Sequence, residues 1–169
     1  MKKFFGVVSV ICIAVFIAGC TQQIPTRVYR NSQYDFSLNP PESWKEIEQK
    51  STDVAVLFSP VNSSNVTFVI GKPFSLSEGL SISTFADLVE ENLSGSRMNY
   101  SILRRDWRII PGVQAYEIAY SFWCDSMNWT VKQVAVLRTR TVFLMTFTAP
   151  SKLYADYLAS VDQCINTFL

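Results

Sequence analysis

Val113-Gln114-Ala115-Tyr116-Glu117-Ile118-Ala119-Tyr120-Ser121-Phe122-Trp123-Cys124 decides how this chain is read. Tyr116, Ile118, Tyr120, Phe122 and Cys124 share one face of an extended segment, and Ala115, Glu117, Ala119 and Ser121 share the other. Successive side chains leave a strand on opposite faces, so period-2 alternation of aromatic and β-branched residues marks a half-buried strand. Two more β-rich runs follow after short polar breaks, Trp129 to Leu137 and Thr141 to Thr148. In the last, Val142-Phe143-Leu144-Met145-Thr146-Phe147 is apolar on both faces, as a central strand covered from both sides would be. The three runs predict an antiparallel meander at the centre of one sheet.

Working outward, Pro111-Gly112 makes a turn into this meander from a strand over Tyr100 to Ile110. Before it the period changes. Ile82, Phe85, Leu88, Val89 and Leu93 recur at helical spacing opposite Asp87, Glu90 and Glu91, which predicts a helix over 81–94. Ser81, Ser83 or Thr84 can supply its N-cap, and Gly95 stands where a C′ glycine belongs. Trp44 to Glu48, Asp53 to Ser59 and Val66 to Ile70 read as strands, the last two forming a hairpin across the turn-rich 60–65. On the far side Pro150 stops the last strand and Ser151 caps a helix over 151–168. Its apolar stripe is Leu153, Tyr154, Tyr157, Leu158, Val161, Ile165 and Phe168.

The order of these pieces resembles a known domain. Tyr34-Asp35-Phe36-Ser37-Leu38 leads through Asn39-Pro40-Pro41 to Trp44, and a strand then ends Phe58-Ser59-Pro60. Pro111 to Glu117 precedes the meander, and Phe143 to Pro150 precedes a final amphipathic helix ending Asn166-Thr167-Phe168. Together they cover nearly all of 34–169 and resemble the PsbP/Mog1-like domain family. That resemblance implies an α+β fold, an α/β/α sandwich with a central antiparallel sheet. The competing expectation is an α+β domain with both helices on one face. The resemblance also implies binding and assembly roles rather than catalysis. None of the family's photosystem or small-GTPase contact residues can be matched here.

The front of the chain is a separate unit. Lys2-Lys3 precedes an uncharged run, Phe4 to Ala18, that falls short of the roughly 20 apolar residues of a membrane span. Basic n-region and apolar h-region make it a secretory signal, and Ile17-Ala18-Gly19-Cys20 resembles the lipobox of prokaryotic lipoproteins. The expected organisation is signal peptide 1–20, a tether over 21–30, and a domain over 31–169. Cleavage before Cys20 removes two lysines and no acid, leaving 13 basic residues against 14 acidic ones. Such a chain has no electrostatic reason to lie on an anionic membrane, so lipid on Cys20 would hold it at the extracytoplasmic face. The near-zero net charge also gives no field for nucleic acid.

Chemistry is sparse. The chain has no histidine, which removes Ser-His-Asp and Cys-His catalysis and the commonest metal ligand. No P-loop, G-x-S-x-G, S-x-x-K or C-x-x-C is present, and Glu90 and Glu91 are helix neighbours pointing about 100° apart. These observations predict no enzyme activity, no cofactor and no metal site. With Cys12 and Cys20 in the signal region, Cys124 and Cys164 raise the question of a disulfide in an exported domain. Arg104, Arg105 and Arg108 around Trp107 form the one concentrated basic group, with the composition of an interface anchor or of ordinary edge protection. Asn62, Asn65, Asn92, Asn99 and Asn128 all head N-x-S/T sequons, five of the eight asparagines. Serine and threonine fill 30 of 169 positions, so chance gives one or two. With a lipobox, this excess suggests an archaeal cell-surface protein carrying N-linked glycans.

Two functions remain at this level. The first is a lipid-anchored, non-catalytic binding or assembly module for an envelope protein. The second is a small-ligand or hydrolytic domain with an aromatic pocket built from Tyr116, Tyr120, Trp123 and Trp129.

Overall fold

The computed structural model describes residues 27–78, 81–95 and 99–169, without the side chains of Phe85, Leu88 and 92–95. Cys12, Cys20 and the signal segment lie outside the described residues. The elements are β1 (Tyr29–Asn31), β2 (Phe36–Leu38), β3 (Trp44–Glu46), β4 (Val54–Pro60), β5 (Thr67–Gly71), β6 (Phe74–Ser75), α1 (Ile82–Gly95), β7 (Tyr100–Ile110), β8 (Val113–Cys124), β9 (Met127–Arg138), β10 (Thr141–Pro150) and α2 (Ser151–Ile165). The main sheet runs β3-β4-β5-β10-β9-β8-β7, with β6 beside the end of β10 that β5 leaves free, and every pair is antiparallel. β10 is central, as its two apolar faces require. The meander therefore runs from the centre to the β7 edge instead of occupying the centre. β1 and β2 form a separate ribbon. Tyr29, near the end of the expected tether, packs edge-on to Phe58 with ring centroids 5.3 Å apart, and residues 21–26 lie outside the described residues.

Each face of the sheet has its own helix. Ala115, Val134, Val136, Phe143, Met145 and Phe147 point to one face and pack with Val161, Cys164, Ile165 and Phe168 of the α2 region. Trp44 and Phe36 complete this layer, Trp44 meeting Tyr157 and Phe36 stacking on Phe168. The opposite face buries Ala135 and Val142 with Ile82 of α1, and Ile118, Tyr120 and Val131 with Val89. The domain is therefore an α/β/α sandwich, and the arrangement with both helices on one face does not occur. Both faces of β8 are covered, so its Ala115–Ser121 face is not the solvent face that alternation alone suggests.

The helix ends differ from expectation: α1 runs through Gly95, the residue expected just past its end, α2 stops at Ile165 rather than 168, and one cap is not made. Ser81 Oγ accepts the Thr84 amide and caps α1. Ser151 caps nothing: α2 starts after Pro150 without a side-chain cap, and the Ser151 hydroxyl bonds to Thr130 Oγ1 at 2.7 Å. Proline fixes φ before the first turn, so α2 begins cleanly even so.

Candidate functional site

The two edges of the sheet are unlike. β3 is three residues long and shows charged Lys45 and Glu46 to solvent, which is how natural sheets blunt an edge. β7 is eleven residues long, and among the described residues no strand pairs with its outer side. Along it Leu103, Trp107 and Ile109 are 57%, 46% and 78% exposed. Leu103 sits where the register with β8 shifts between Ile102 and Arg104. Trp107 lies edge-on to Tyr116 at 5.2 Å, which fixes the indole while leaving its outer side free.

Alternation divides the arginines of β7 between the two layers, so they do not form one basic patch around Trp107. Arg105 reaches the α1 side and forms a two-pronged ion pair with Glu90, and Tyr116 donates to the same carboxylate at 3.3 Å. The Arg105 bond holds the Glu90 carboxyl below its usual range. Arg104 is exposed and pairs with Asp106 at 2.6 Å. Arg108 points to the α2 side into a half-hidden charge cluster. Its Nη1 donates to Glu117 Oε2 at 2.8 Å and to Asp162 Oδ1 at 3.0 Å. Lys132 Nζ bridges the same two oxygens at 3.0 and 2.6 Å, and Arg108 also donates to Asn166.

Glu117 and Lys132 are among the few buried polar residues, each close to 5% exposed or less. Two cations against two carboxylates balance the cluster, which is what makes charge under α2 tolerable. The same carboxylates, after burial itself, push the Tyr154 hydroxyl up to about 12. Every charged group here is engaged by another, so the cluster locks β7, β8 and β9 to α2 and offers no free acid or base. A lone acidic or basic residue in the middle of an otherwise apolar strand is the signal that could have revealed it. Glu117 and Lys132, on neighbouring strands, each carry it.

Among the described residues the four aromatics are not brought together in one pocket. Tyr116 and Tyr120 pack beneath α1, Trp129 pairs with Phe122, and Trp123 points away at 60% exposure near the β8–β9 tip. A cavity of about 670 Å³ lies elsewhere, between the β2–β3 loop and α2. Pro41, Trp44 and Cys164 line it, with Arg27, Glu42 and Gln163 among its other walls. None of the four aromatics lines it.

Cys124 and Cys164 are both free. Cys124 is exposed at the β8–β9 turn on the α1 side of the sheet, whereas Cys164 is buried on α2 against the other side. The sheet stands between them, so the disulfide is not made. Burial raises the Cys164 thiol to about 12, and neighbouring Asp125 raises that of Cys124. Asn62, Asn65 and Asn99 are exposed, Asn128 is half-buried, and Asn92 lies in α1 with its side chain outside the description. Among the described residues no cluster of three or more metal-ligating side chains occurs, and no helix is long and apolar enough to cross a membrane.

No family model and no curated protein matches the chain in sequence. Solved structures do. A cyanobacterial PsbP (CyanoP) from Synechocystis superposes with TM-score 0.62 at 10% identity, covering 90% of this chain and 98% of that one. LpqN of Mycobacterium tuberculosis, described as involved in cell envelope biogenesis, gives TM-score 0.63 at 13% identity, covering 87% and 86%. A Pseudomonas aeruginosa protein of unknown function, described as a putative regulator, gives 0.57 at 16%, covering 83% and 94%. At such identities the likeness is one of fold, and it agrees with the sequence motifs from Tyr34 onward. The domain carries the PsbP/Mog1-like fold, an α+β sandwich with a central antiparallel sheet.

Proposed function

We propose that this chain is an exported domain, tethered to a membrane by lipid on Cys20, that works as a non-catalytic module holding a protein partner along β7. The β7 edge is the observation that carries this reading. Eleven residues of strand present a backbone flank that no other strand pairs with among the described residues, with Leu103, Trp107 and Ile109 exposed beside it. Arg105 clamps the strand to α1 and Arg108 clamps it to α2. A partner strand adding to such an edge gains main-chain hydrogen bonds, while side-chain contacts on alternate positions give selectivity. Pre-ordering by the two clamps lowers the entropy lost on docking. LpqN, described as involved in cell envelope biogenesis, shares the fold, which agrees with an extracytoplasmic setting. A lipid tether raises the local concentration of the module near membrane proteins.

The test is gentle detergent extraction of the chain from its own membranes, followed by identification of what remains bound. Wild type should retain a membrane protein. Leu103→Ser/Ile109→Ser should lose at least tenfold of it while melting normally, and Cys20→Ser should release the domain from the membrane. A partner retained by the double variant at wild-type level overturns the β7 assignment.

A further inference from the structure

The five sequons are scattered over the sequence but not over the molecule. Asn62 and Asn65 lie in the turn between β4 and β5. Thr67, the first residue of β5, pairs with Thr148 near the end of β10, and Pro150 pairs with Trp129. Asn128 is therefore at the same end of the sheet. Phe122 pairs with both Trp129 and Tyr100, which places Asn99 there as well, one residue before β7. α1 runs from Ile82, packed on Ala135 and Val142, past Val89, packed on Tyr120 and Val131. Its last turn, with Asn92, is thus directed to that end too. The opposite end, with the Pro111-Gly112 and Thr139-Arg140 turns and the chain's last residues, holds no sequon. An excess of sequons and their convergence on one pole are independent observations, and both point the same way.

We infer that this pole is a glycan cap, with N-linked oligosaccharides on Asn62, Asn65 and Asn99 as its main attachment points. The inference rests on the export reading above, not on the β7 partner. In the transfer, the Asn Nδ2 nitrogen bonds to the anomeric carbon of a lipid-phosphate-linked oligosaccharide. The bond from that carbon to the phosphate oxygen breaks, the lipid phosphate leaves, and one amide proton is released. Asn62, Asn65 and Asn99 are exposed in turns or at a strand start, where an acceptor amide can be reached. Asn128 is the poorest acceptor: its Oδ1 is buried without a hydrogen-bond partner, and the Thr130 hydroxyl of its sequon is bonded to Ser151. Trp107 and Ile109 stand seven and nine residues along β7 from Tyr100, about 23 to 30 Å at ~3.3 Å per residue. Glycans at the pole would leave Trp107 and Ile109 free, border Leu103 three residues from Tyr100, and surround the exposed Trp123 at the hairpin tip.

The experiment is peptide mapping by mass spectrometry of the full chain purified from its own cells. Its arms are wild type, Asn99→Gln, Ser101→Ala and Ser64→Ala, the last two removing a sequon without touching its asparagine. Glycan masses on the peptides holding Asn62 or Asn65 and Asn99 are expected. The Asn99 mass should vanish in both Asn99→Gln and Ser101→Ala, and occupancy should be lowest at Asn128. Sequon peptides at unmodified mass beside an N-terminal peptide starting at lipidated Cys20 would overturn the cap and leave the anchored-module reading intact. Modification confined to Asn128 would overturn it as well.

Discussion

The β3 edge and the β7 edge close the same sheet by opposite means. β3 is short, charged on its outer side, and held by one large anchor, Trp44, which is 7% exposed against Phe147 and Tyr157. β7 is long, its own tryptophan stays half-exposed, only Ile110 at its far end is buried, and ion pairs tie it to both helices. A hydrophobic anchor fixes an edge and hides it. Salt bridges fix an edge while leaving its apolar side chains outside. β7 is thus ordered without being covered, which is what a docking strand needs.

The largest effect should come from the β3 side. Trp44→Ala removes a buried indole from the α2 layer and should cost about 3–5 kcal/mol in chemical denaturation. On the β7 side Glu117→Leu leaves Arg108 and Lys132 to share Asp162, and should cost about 3 kcal/mol. Adding Lys132→Met to it should restore most of the loss, because the remaining Arg108–Asp162 pair is again balanced. A double variant no more stable than Glu117→Leu alone would show that the cluster does not act as one charge-balanced unit.

Alkali should weaken the protein through two groups of α2. Cys164 lines the cavity with Trp44, and Tyr154 lies beside Glu117 and Asp162. Both folded-state values are raised to about 12, from about 9 for the thiol and 10 for the phenol. A raised value means that the folded state keeps its proton longer. Stability is therefore fully present below pH 9 and falls as pH rises towards 12, at up to ~1.4 kcal/mol per pH unit for each group. Cys164→Ala should flatten the first part of that fall and Tyr154→Phe the second. The smallest effect is at the exposed clamp. Glu90→Gln should cost a few tenths to ~1 kcal/mol. It should also speed amide exchange in α1 but not in α2.

Much of this was legible in the chain. Tyr100 to Ile110 reads as a strand with the bounds it has, because Pro111 and Gly112 are the residues a turn with positive φ at its second central position demands, and Gly112 has φ 74°. The start of β9 at Met127 was not legible. Asp125 and Ser126 both adopt positive φ in a two-residue hairpin turn, yet neither is glycine, so the usual signal is missing. β6 escaped because two residues carry no period. The candidate site was legible in composition only. Arg104, Arg105, Trp107 and Arg108 stand together in sequence, and the pleat sends them to different layers, since the side-chain period of a strand is 2. Which face α2 covers decides the fate of Glu117 and of the cysteines, and nothing local to either residue encodes that.

The claim that β7 is the docking edge is tested most directly by a photo-crosslinking amino acid placed at Ile109 and, separately, at Lys45, in cells carrying the full chain. Both positions are exposed, on opposite edges of one sheet. A discrete crosslinked membrane protein is expected from position 109 and none from position 45. The same adduct from position 45, with none from 109, would contradict it.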